Sequence, residues 1–372
     1  MDCKYFGKCG SCVVYNISCN EQISRKKNKI KDQFSEFYTE DIEVFTSKDA
    51  YFRNRAEFRI WHNEDKISYA MNGFNKKDIV LINNCFIVEK KIFTLMPKIL
   101  SFLQNNLILK EKLFTIEFLS AEDIMVTLIY HKKLSNTWRD EAKKLEKELA
   151  ILVIGRSRGE KIVLSDDFIF QELNILDTRY KYKIYENSFL QPNTKVNEKM
   201  ISWVKINSKN FKNDLLELYC GHGNFTIPLS NNFKKVLATE ISKKSIKAAK
   251  ENCLLNDIKN ITFVRLSDKE LVSALKNERI FKRLEGVKLK EYDFSTIFVD
   301  PPRAGIDKES IKFISNFNNI IYISCNPETL KRDISKLFET HSIKKFAIFD
   351  QFVYTNHLEC GIILKKRIRD GV

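Results

Sequence analysis

The chain has 372 residues, 44% apolar and 30% charged, the composition of a soluble globular protein long enough for two domains. It has no run of 18 apolar residues, and its start, Met1-Asp2-Cys3-Lys4-Tyr5, lacks the apolar segment of a signal peptide, so the expectation is a cytoplasmic protein with no membrane association. A formal net charge of +15 favours polyanionic partners, and nine cysteines in a reducing compartment imply metal ligands, catalytic groups or core rather than a disulfide framework.

Residues 1–47 form a cysteine-bearing segment followed by a basic helix. Cys3, Cys9 and Cys12 have Cys-x5-Cys-x2-Cys spacing, and the intervening glycines let the backbone fold back so that thiolates converge. Such density suits an iron–sulfur or zinc site, with Cys19 or the distant Cys85 as fourth ligand. The stretch 21–37 reads as a helix carrying Arg25, Lys26, Lys27, Lys29 and Lys31, ordinarily a solvated face but one that would meet phosphates on RNA.

Residues 48–175 are expected to form a smaller α/β domain. The run 51–61 has period two, placing Phe52, Ala56, Phe58 and Ile60 on one face and Arg53, Arg55, Glu57 and Arg59 on the other. An open sheet face with three arginines suits nucleic acid. Further strands are expected at 79–82, 114–119, 124–130 and 162–164, with an amphipathic helix at 136–149.

Residues 176–372 change regime. Helices at 195–207 and 242–256 alternate with apolar strands at 214–218, 235–239, 261–265, 296–299 and 319–323, the signature of a parallel, doubly wound sheet. The charged segment 268–292 is expected to be irregular and superficial. The strand 214–218 runs into Tyr219-Cys220-Gly221-His222-Gly223-Asn224, and Glu240 ends the next strand nineteen residues after Gly221. That offset suits a carboxylate accepting both ribose hydroxyls. A dinucleotide site would want a third glycine where Thr226 stands. S-adenosyl-L-methionine fits better, because it has no phosphate to cradle and its methionine end can face Glu217.

Two further strand ends carry reactive groups. Asp300-Pro301-Pro302-Arg303 follows one strand, and Ser324-Cys325-Asn326-Pro327 follows another. Carboxyl strand ends are where open α/β sheets bind ligands. C5 of uracil is a poor nucleophile toward a methyl sulfonium. A Cys325 thiolate adding at C6 makes the ring an enolate whose C5 can attack. The C5 proton must then be removed before the sulfur leaves. Glu359 is the expected acceptor, with His357 second, and Arg303 is expected to stabilise the thiolate or bind a uracil oxygen. The stretch Asn187 to Asn193, ahead of a helix, offers amide side chains that can read a base edge or hold the cofactor.

These blocks resemble the RNA uracil-C5 methyltransferase family. The resemblance rests on Glu186-Asn187-Ser188-Phe189 with Gln191-Pro192-Asn193, on Leu216-Glu217-Leu218-Tyr219-Cys220-Gly221, on Asp300-Pro301-Pro302-Arg303, on Ser324 to Leu330, and on His357-Leu358-Glu359-Cys360. It implies a Rossmann-like methyltransferase domain beside a smaller RNA-binding α/β domain. It further implies Cys325 as nucleophile, Glu359 as proton acceptor, and Gln191, Tyr219, Asn224, Glu240 and Asp300 as S-adenosylmethionine ligands.

The first half, through Arg53 to His62, Lys112-Leu113-Phe114 and Tyr130 to Leu134, is similar to the branch that makes ribothymidine at uridine 54 in the T loop of tRNA. Phe114 would then fill the place of the extracted uridine. The partner implied is the tRNA T arm, with transfer-messenger RNA as an additional substrate and no obligate protein partner. Cys3, Cys9 and Cys12, with Cys85 as fourth member, resemble instead the ribosomal RNA branch, whose members can carry a 4Fe-4S cluster. Two alternatives accompany the tRNA expectation: methylation of 23S ribosomal RNA, and a non-catalytic chaperone that folds tRNA.

Overall fold

Three sheets organise the computed structural model, which describes residues 1–75 and 77–367. Helix α1 (Cys19–Gln33) is capped by Ser18, whose hydroxyl accepts the Glu21 N–H (3.2 Å). Strand β1 (Glu43–Phe45) follows. The small sheet comprises β2 (Arg55–Asn63), β3 (Lys66–Asn72), β4 (Ile79–Ile82), β5 (Leu113–Ser120), β6 (Ile124–Tyr130), β7 (Leu152–Ser157) and β8 (Glu160–Val163), in the order β4-β3-β2-β5-β6-β7-β8. Its one parallel pair, β6–β7, needs a crossover. Of the helices α2 (Lys90–Gln104), α3 (Leu107–Lys110) and α4 (Asn136–Leu149), α4 provides it. Phe58, Phe118, Val126 and Leu128 meet Ile92, Met96 and Ile99 of α2 and Trp138 of α4 in one core. At roughly 1.5–3 kcal/mol per large apolar side chain, this core is the main term favouring the sheet.

A hairpin of β9 (Phe168–Ile175) and β10 (Thr178–Tyr185) links the two larger sheets, so the boundary expected at 175/176 falls in the hairpin turn. Beyond it come α5 (Thr194–Ser208), β11 (Asp214–Leu218), α6 (Thr226–Leu229), β12 (Val236–Thr239), α7 (Lys243–Leu255), β13 (Ile261–Val264), α8 (Asp268–Leu275), β14 (Phe294–Val299), α9 (Lys308–Ile314), β15 (Asn319–Ser324), α10 (Pro327–Leu337), β16 (His341–Phe349) and β17 (Glu359–Lys366). The large sheet runs β1-β16-β17-β15-β14-β11-β12-β13, with β17 antiparallel to both neighbours and the other pairings parallel. This is the doubly wound, Rossmann-like sheet expected. Its switch point lies between β11 and β14, where successive strands start adding on opposite sides.

Two findings depart from the sequence expectations. Residues 1–47 do not stand apart: β1 extends the large sheet beside β16, and Ile23, Ile30, Phe34 and Tyr38 enter the same core as Leu216, Val299 and Tyr322. The segment 268–292 is not wholly irregular and superficial. Its first eight residues form α8, nucleated by a capping box between Ser267 and Glu270, and Leu271, Val272, Ala274 and Phe281 are buried. No helix among the described residues is long and apolar enough to cross a membrane.

Candidate active site

Because β11, β12, β14, β15 and β16 run parallel, their carboxyl ends share one edge of the sheet, and antiparallel β17 begins there. That edge gathers the loop 219–225, Glu240, Asp300, Cys325, Gln351 and Glu359. One pairing at that edge follows from register. Ile323 faces Gly361 and Ser324 faces Cys360, so one further step sets Cys325 opposite Glu359. The two residues are 34 apart in the chain, and only the β15–β17 pairing brings them together.

Cys325 is half-buried and lines a cavity of about 340 Å³ together with Lys26, Lys29, Arg303, Asn326, Glu328 and His357, among others. Burial pushes its thiol up to about 11, as do the charges of Glu359 and Asp300, while Arg303 pulls it down. Two features of the fold oppose burial. Asn326 caps α10, accepting the Glu328 N–H (3.2 Å), so the positive end of that helix begins one residue after the sulfur. The carbonyl of Arg303 is also pinned by Asn326 Nδ2 (3.1 Å) and the Thr329 hydroxyl (3.3 Å), which fixes the guanidinium's base at the same turn. The guanidinium lies 3.0 Å from His357 Nδ1, so that ring nitrogen serves as its acceptor. Burial, Arg303 and Lys26 all push the His357 imidazole below its usual pKa.

Glu359 is 4% exposed. Burial and the nearby Asp300 hold its carboxyl well above the ordinary range, opposed by Arg303. Asp300 keeps partial solvent access, yet burial raises it to about 7. Glu217 on β11 is 1% exposed and is pushed up to about 8 by burial, with the Thr226 hydroxyl opposing and Asp300 adding. Its Oε2 and Thr226 Oγ1 are buried close to each other without forming a well-aligned hydrogen bond, which leaves both short of a partner. Burial raises all three carboxyls and Asp300 adds to the shifts of Glu217 and Glu359, so the cluster suits a cationic ligand, which would restore the ionised forms.

The glycine turn supplies the space beside them. Gly221 (φ +55°) and Gly223 (φ +89°) occupy the left-handed region, and a Cβ at Gly221 would meet nothing within 4 Å. Glu240 braces the turn: Oε2 accepts the Gly221 N–H (3.3 Å) and Oε1 the Ser242 N–H (2.8 Å), leaving each oxygen a second lone pair for a hydroxyl. S-adenosylmethionine, with a sulfonium, an ammonium and a ribose diol, matches this donor set. Glu217, Asp300 and the turn would hold the cationic end, and Glu240 the ribose.

The remaining expected ligands sit around this core in different states. Gln191 is buried, and its Oε1 accepts from Gln351 Nε2 (2.8 Å), which draws it to the end of β16. Tyr219 takes a positive φ (+61°) and its hydroxyl donates to Asp268 Oδ2 (2.7 Å), placing the ring beside the turn. Asn224 exchanges two amide hydrogen bonds with Asn197 (2.9 and 3.0 Å), so its side chain braces the loop from behind.

The small sheet does not present three arginines on an open face. Arg53 Nε donates to the Arg55 carbonyl (2.9 Å). Arg55 spans to the carbonyls of Ser188 and Glu186 (both 2.8 Å) and faces Glu117 (3.5 Å), so it ties the small sheet to the loop before α5. Alternation places side chains on a face but does not show which loop covers that face. Arg59 alone remains exposed, bonded to Asn72 Oδ1 (3.1 Å). Phe114 is 39% exposed and stacks on His131 (centroids 4.2 Å apart).

Cys3, Cys9, Cys12 and Cys85 line one cavity of about 340 Å³, which Phe352, Val353 and Thr355 also border. Burial and the neighbouring thiols raise Cys12 to about 12 and Cys85 to about 11. Among the described residues, however, no three His, Cys, Asp or Glu side chains are grouped to hold a metal ion. The thiols as arranged do not fit a metal centre, and none enters the chemistry below.

Sequence reasoning missed two supports of the site. Gln351 was announced only by a polar pair, Asp350-Gln351, closing an apolar strand. Lys26 was read with the other cations of α1, yet it is 10% exposed in an ion pair with Asp350 (2.7 Å) and also donates to the Phe352 carbonyl (3.2 Å). It thereby anchors the loop that carries His357.

Known proteins resemble this chain in sequence and in fold. A family model described as tRNA (Uracil-5-)-methyltransferase matches residues 18–367. A protein of Aliarcobacter butzleri named tRNA/tmRNA (uracil-C(5))-methyltransferase is 52% identical over 98% of this chain and 99% of its own. One of the same name from Acinetobacter baumannii is 48% identical over 94% of this chain and 99% of its own. Among solved structures, Pyrococcus abyssi tRNA (uracil-54, C5)-methyltransferase in complex with S-adenosyl-L-homocysteine superposes with a TM-score of 0.72 at 21% identity, covering 95% of this chain and 85% of that one. At that identity the likeness concerns the fold.

Proposed function

The chain belongs to the tRNA (Uracil-5-)-methyltransferase family, and on that premise we propose that it methylates C5 of uridine 54 in the T loop of tRNA, and the corresponding loop of transfer-messenger RNA, through a covalent adduct at Cys325. The observation that carries the mechanism is the register that sets Cys325 opposite Glu359 at the ligand-binding edge of the sheet. When bound, S-adenosylmethionine supplies a methyl group activated by its sulfonium.

The residues of this chain do the rest. Arg303 and the start of α10 favour the Cys325 thiolate, which adds to uracil C6 and places electron density on C5. Once C5 carries the methyl group, Glu359 accepts the C5 proton, the C5–C6 double bond re-forms and the sulfur leaves. A carboxyl raised toward neutrality is the stronger base for that step. Glu217, Asp300, Glu240 and Gln191 bind the methyl donor, with Tyr219 and Asn224 shaping the turn.

On the RNA side, the half-exposed Phe114, backed by His131, is the group that replaces the stacking lost when the uridine leaves its loop. Arg59 is the arginine of the small sheet free to meet RNA. The names of the 52% and 48% identical relatives support tRNA and tmRNA as substrates.

The test is Cys325→Ala. Methylated uridine in tRNA should vanish while tRNA affinity persists, by mass-spectrometric mapping of tRNA and ribosomal RNA. Methylation that survives would remove the nucleophile. Loss confined to ribosomal RNA would move the substrate.

A further inference from the structure

Helix α1 forms one wall of the Cys325 cavity, contributing Lys26, Lys29 and Ile30. Ile30 is 2% exposed in the large core and Lys26 is held by Asp350, so this face of the helix is fixed on both sides. Lys29, one turn beyond Lys26, is exposed and makes no salt bridge or side-chain hydrogen bond among the described residues. The other cations of the cavity are committed: Lys26 to Asp350 and the Phe352 carbonyl, Arg303 to His357. Glu328, the one acidic residue in the lining, has its backbone N–H bonded to the Asn326 cap and no bond to Lys29.

A uracil that reaches Cys325 brings its own phosphodiesters to the rim of the cavity, because base and phosphate are joined through one sugar. A flexible, uncommitted ammonium at that rim is suited to a single phosphate. We propose that Lys29 grips a phosphodiester flanking the target uridine, making α1 part of the substrate site. The inference rests on the reading of Cys325 as the nucleophile toward RNA.

The experiment measures the salt dependence of binding of an unmodified tRNA transcript, and steady-state methylation, for Lys29→Ala, Lys29→Arg and Lys31→Ala. Lys31 is exposed on the same helix and does not line the cavity, so it falls to the solvated face of the basic run and not to the substrate site. Losing one phosphate contact should make the log–log salt slope shallower by about 0.7–0.9. For curves that converge at 1 M salt, affinity then falls about five- to eightfold at 0.1 M. Lys29→Ala should show this with a raised KM and an unchanged kcat, Lys29→Arg should restore most of it, and Lys31→Ala should match the parent chain. An unchanged slope in Lys29→Ala, or equal losses in the two alanine variants, overturns the assignment. Cys325→Ala, run in parallel, separates the two levels. Methylation surviving there removes the underlying reading, whereas its loss beside an unaffected Lys29→Ala removes only the phosphate contact.

Discussion

Replacing Glu359 by Gln changes one proton-accepting oxygen and little else. The strand register is kept, since Glu359 pairs with Phe349 through the backbone. At 4% exposure there is little bulk water to take over as base. Loss of a general base costs about 10²–10⁴ in rate, and the burial of this one argues for the upper part of that range, about 4–5.5 kcal/mol of barrier at 1.36 kcal/mol per decade. The steps before proton removal do not use the carboxylate, so adduct should accumulate. The assay is single turnover with a tRNA transcript and labelled methyl donor, read on a denaturing gel for protein-linked RNA.

Stability separates chemistry from misfolding. The folded pKa of Glu359 is raised, so the stability it lends is full below the unfolded carboxyl pKa and is lost as pH rises through the folded value. Glutamine mimics the protonated form, and the variant should be at least as stable as the parent at pH 8. Normal turnover, or an inactive and well-folded variant that forms no adduct, would refute the proton-acceptor role.

Two other predictions follow from the same carboxyl and thiol environments. Burial lifts Glu217 from 4.5 to about 8, so the parent chain should lose up to about 5 kcal/mol of stability as pH rises through that window. Glu217→Gln should flatten the slope in thermal melts from pH 5 to 9 and weaken binding of S-adenosylmethionine, and an unchanged slope would contradict the burial argument. Arg303→Gln removes the charge that lowers the Cys325 thiol. Iodoacetamide labelling of the Cys325 peptide at pH 8 should slow severalfold, whereas equal labelling would free Arg303 from that role.

Much of the site was legible because strand ends are local signals. Asp300-Pro301-Pro302 and Asn326-Pro327 each stop a β-branched run with residues that cannot continue a strand, and that placed Asp300 and Cys325 on the ligand edge. The alternation of helices and strands likewise gave the doubly wound sheet. What stayed hidden was non-local. Nothing in the sequence around Cys325 shows that β17 runs backward between β15 and β16, which is what brings Glu359 to the sulfur. Arg53 and Arg55 have the right alternation for an open face, but Arg55 is tied to the carbonyls of Glu186 and Ser188 and Arg53 turns back onto the Arg55 carbonyl. The basic run of α1 looks uniform in sequence, yet packing splits it into a buried anchor, Lys26, and an uncommitted neighbour, Lys29. For α8, the capping box at Ser267 and Glu270 was visible, and the surrounding charges masked it.

The central claim is a bond between the Cys325 sulfur and uracil C6. It is tested most directly with a T-arm RNA carrying 5-fluorouridine at the target position. After methyl transfer, C5 would hold fluorine and methyl with no proton for Glu359 to take, so the sulfur cannot leave. Tandem mass spectrometry of the digested complex should find a methylated fluorouridine nucleotide attached to the peptide containing Cys325. An adduct on another residue, or methylated RNA released with no adduct at all, would contradict the account.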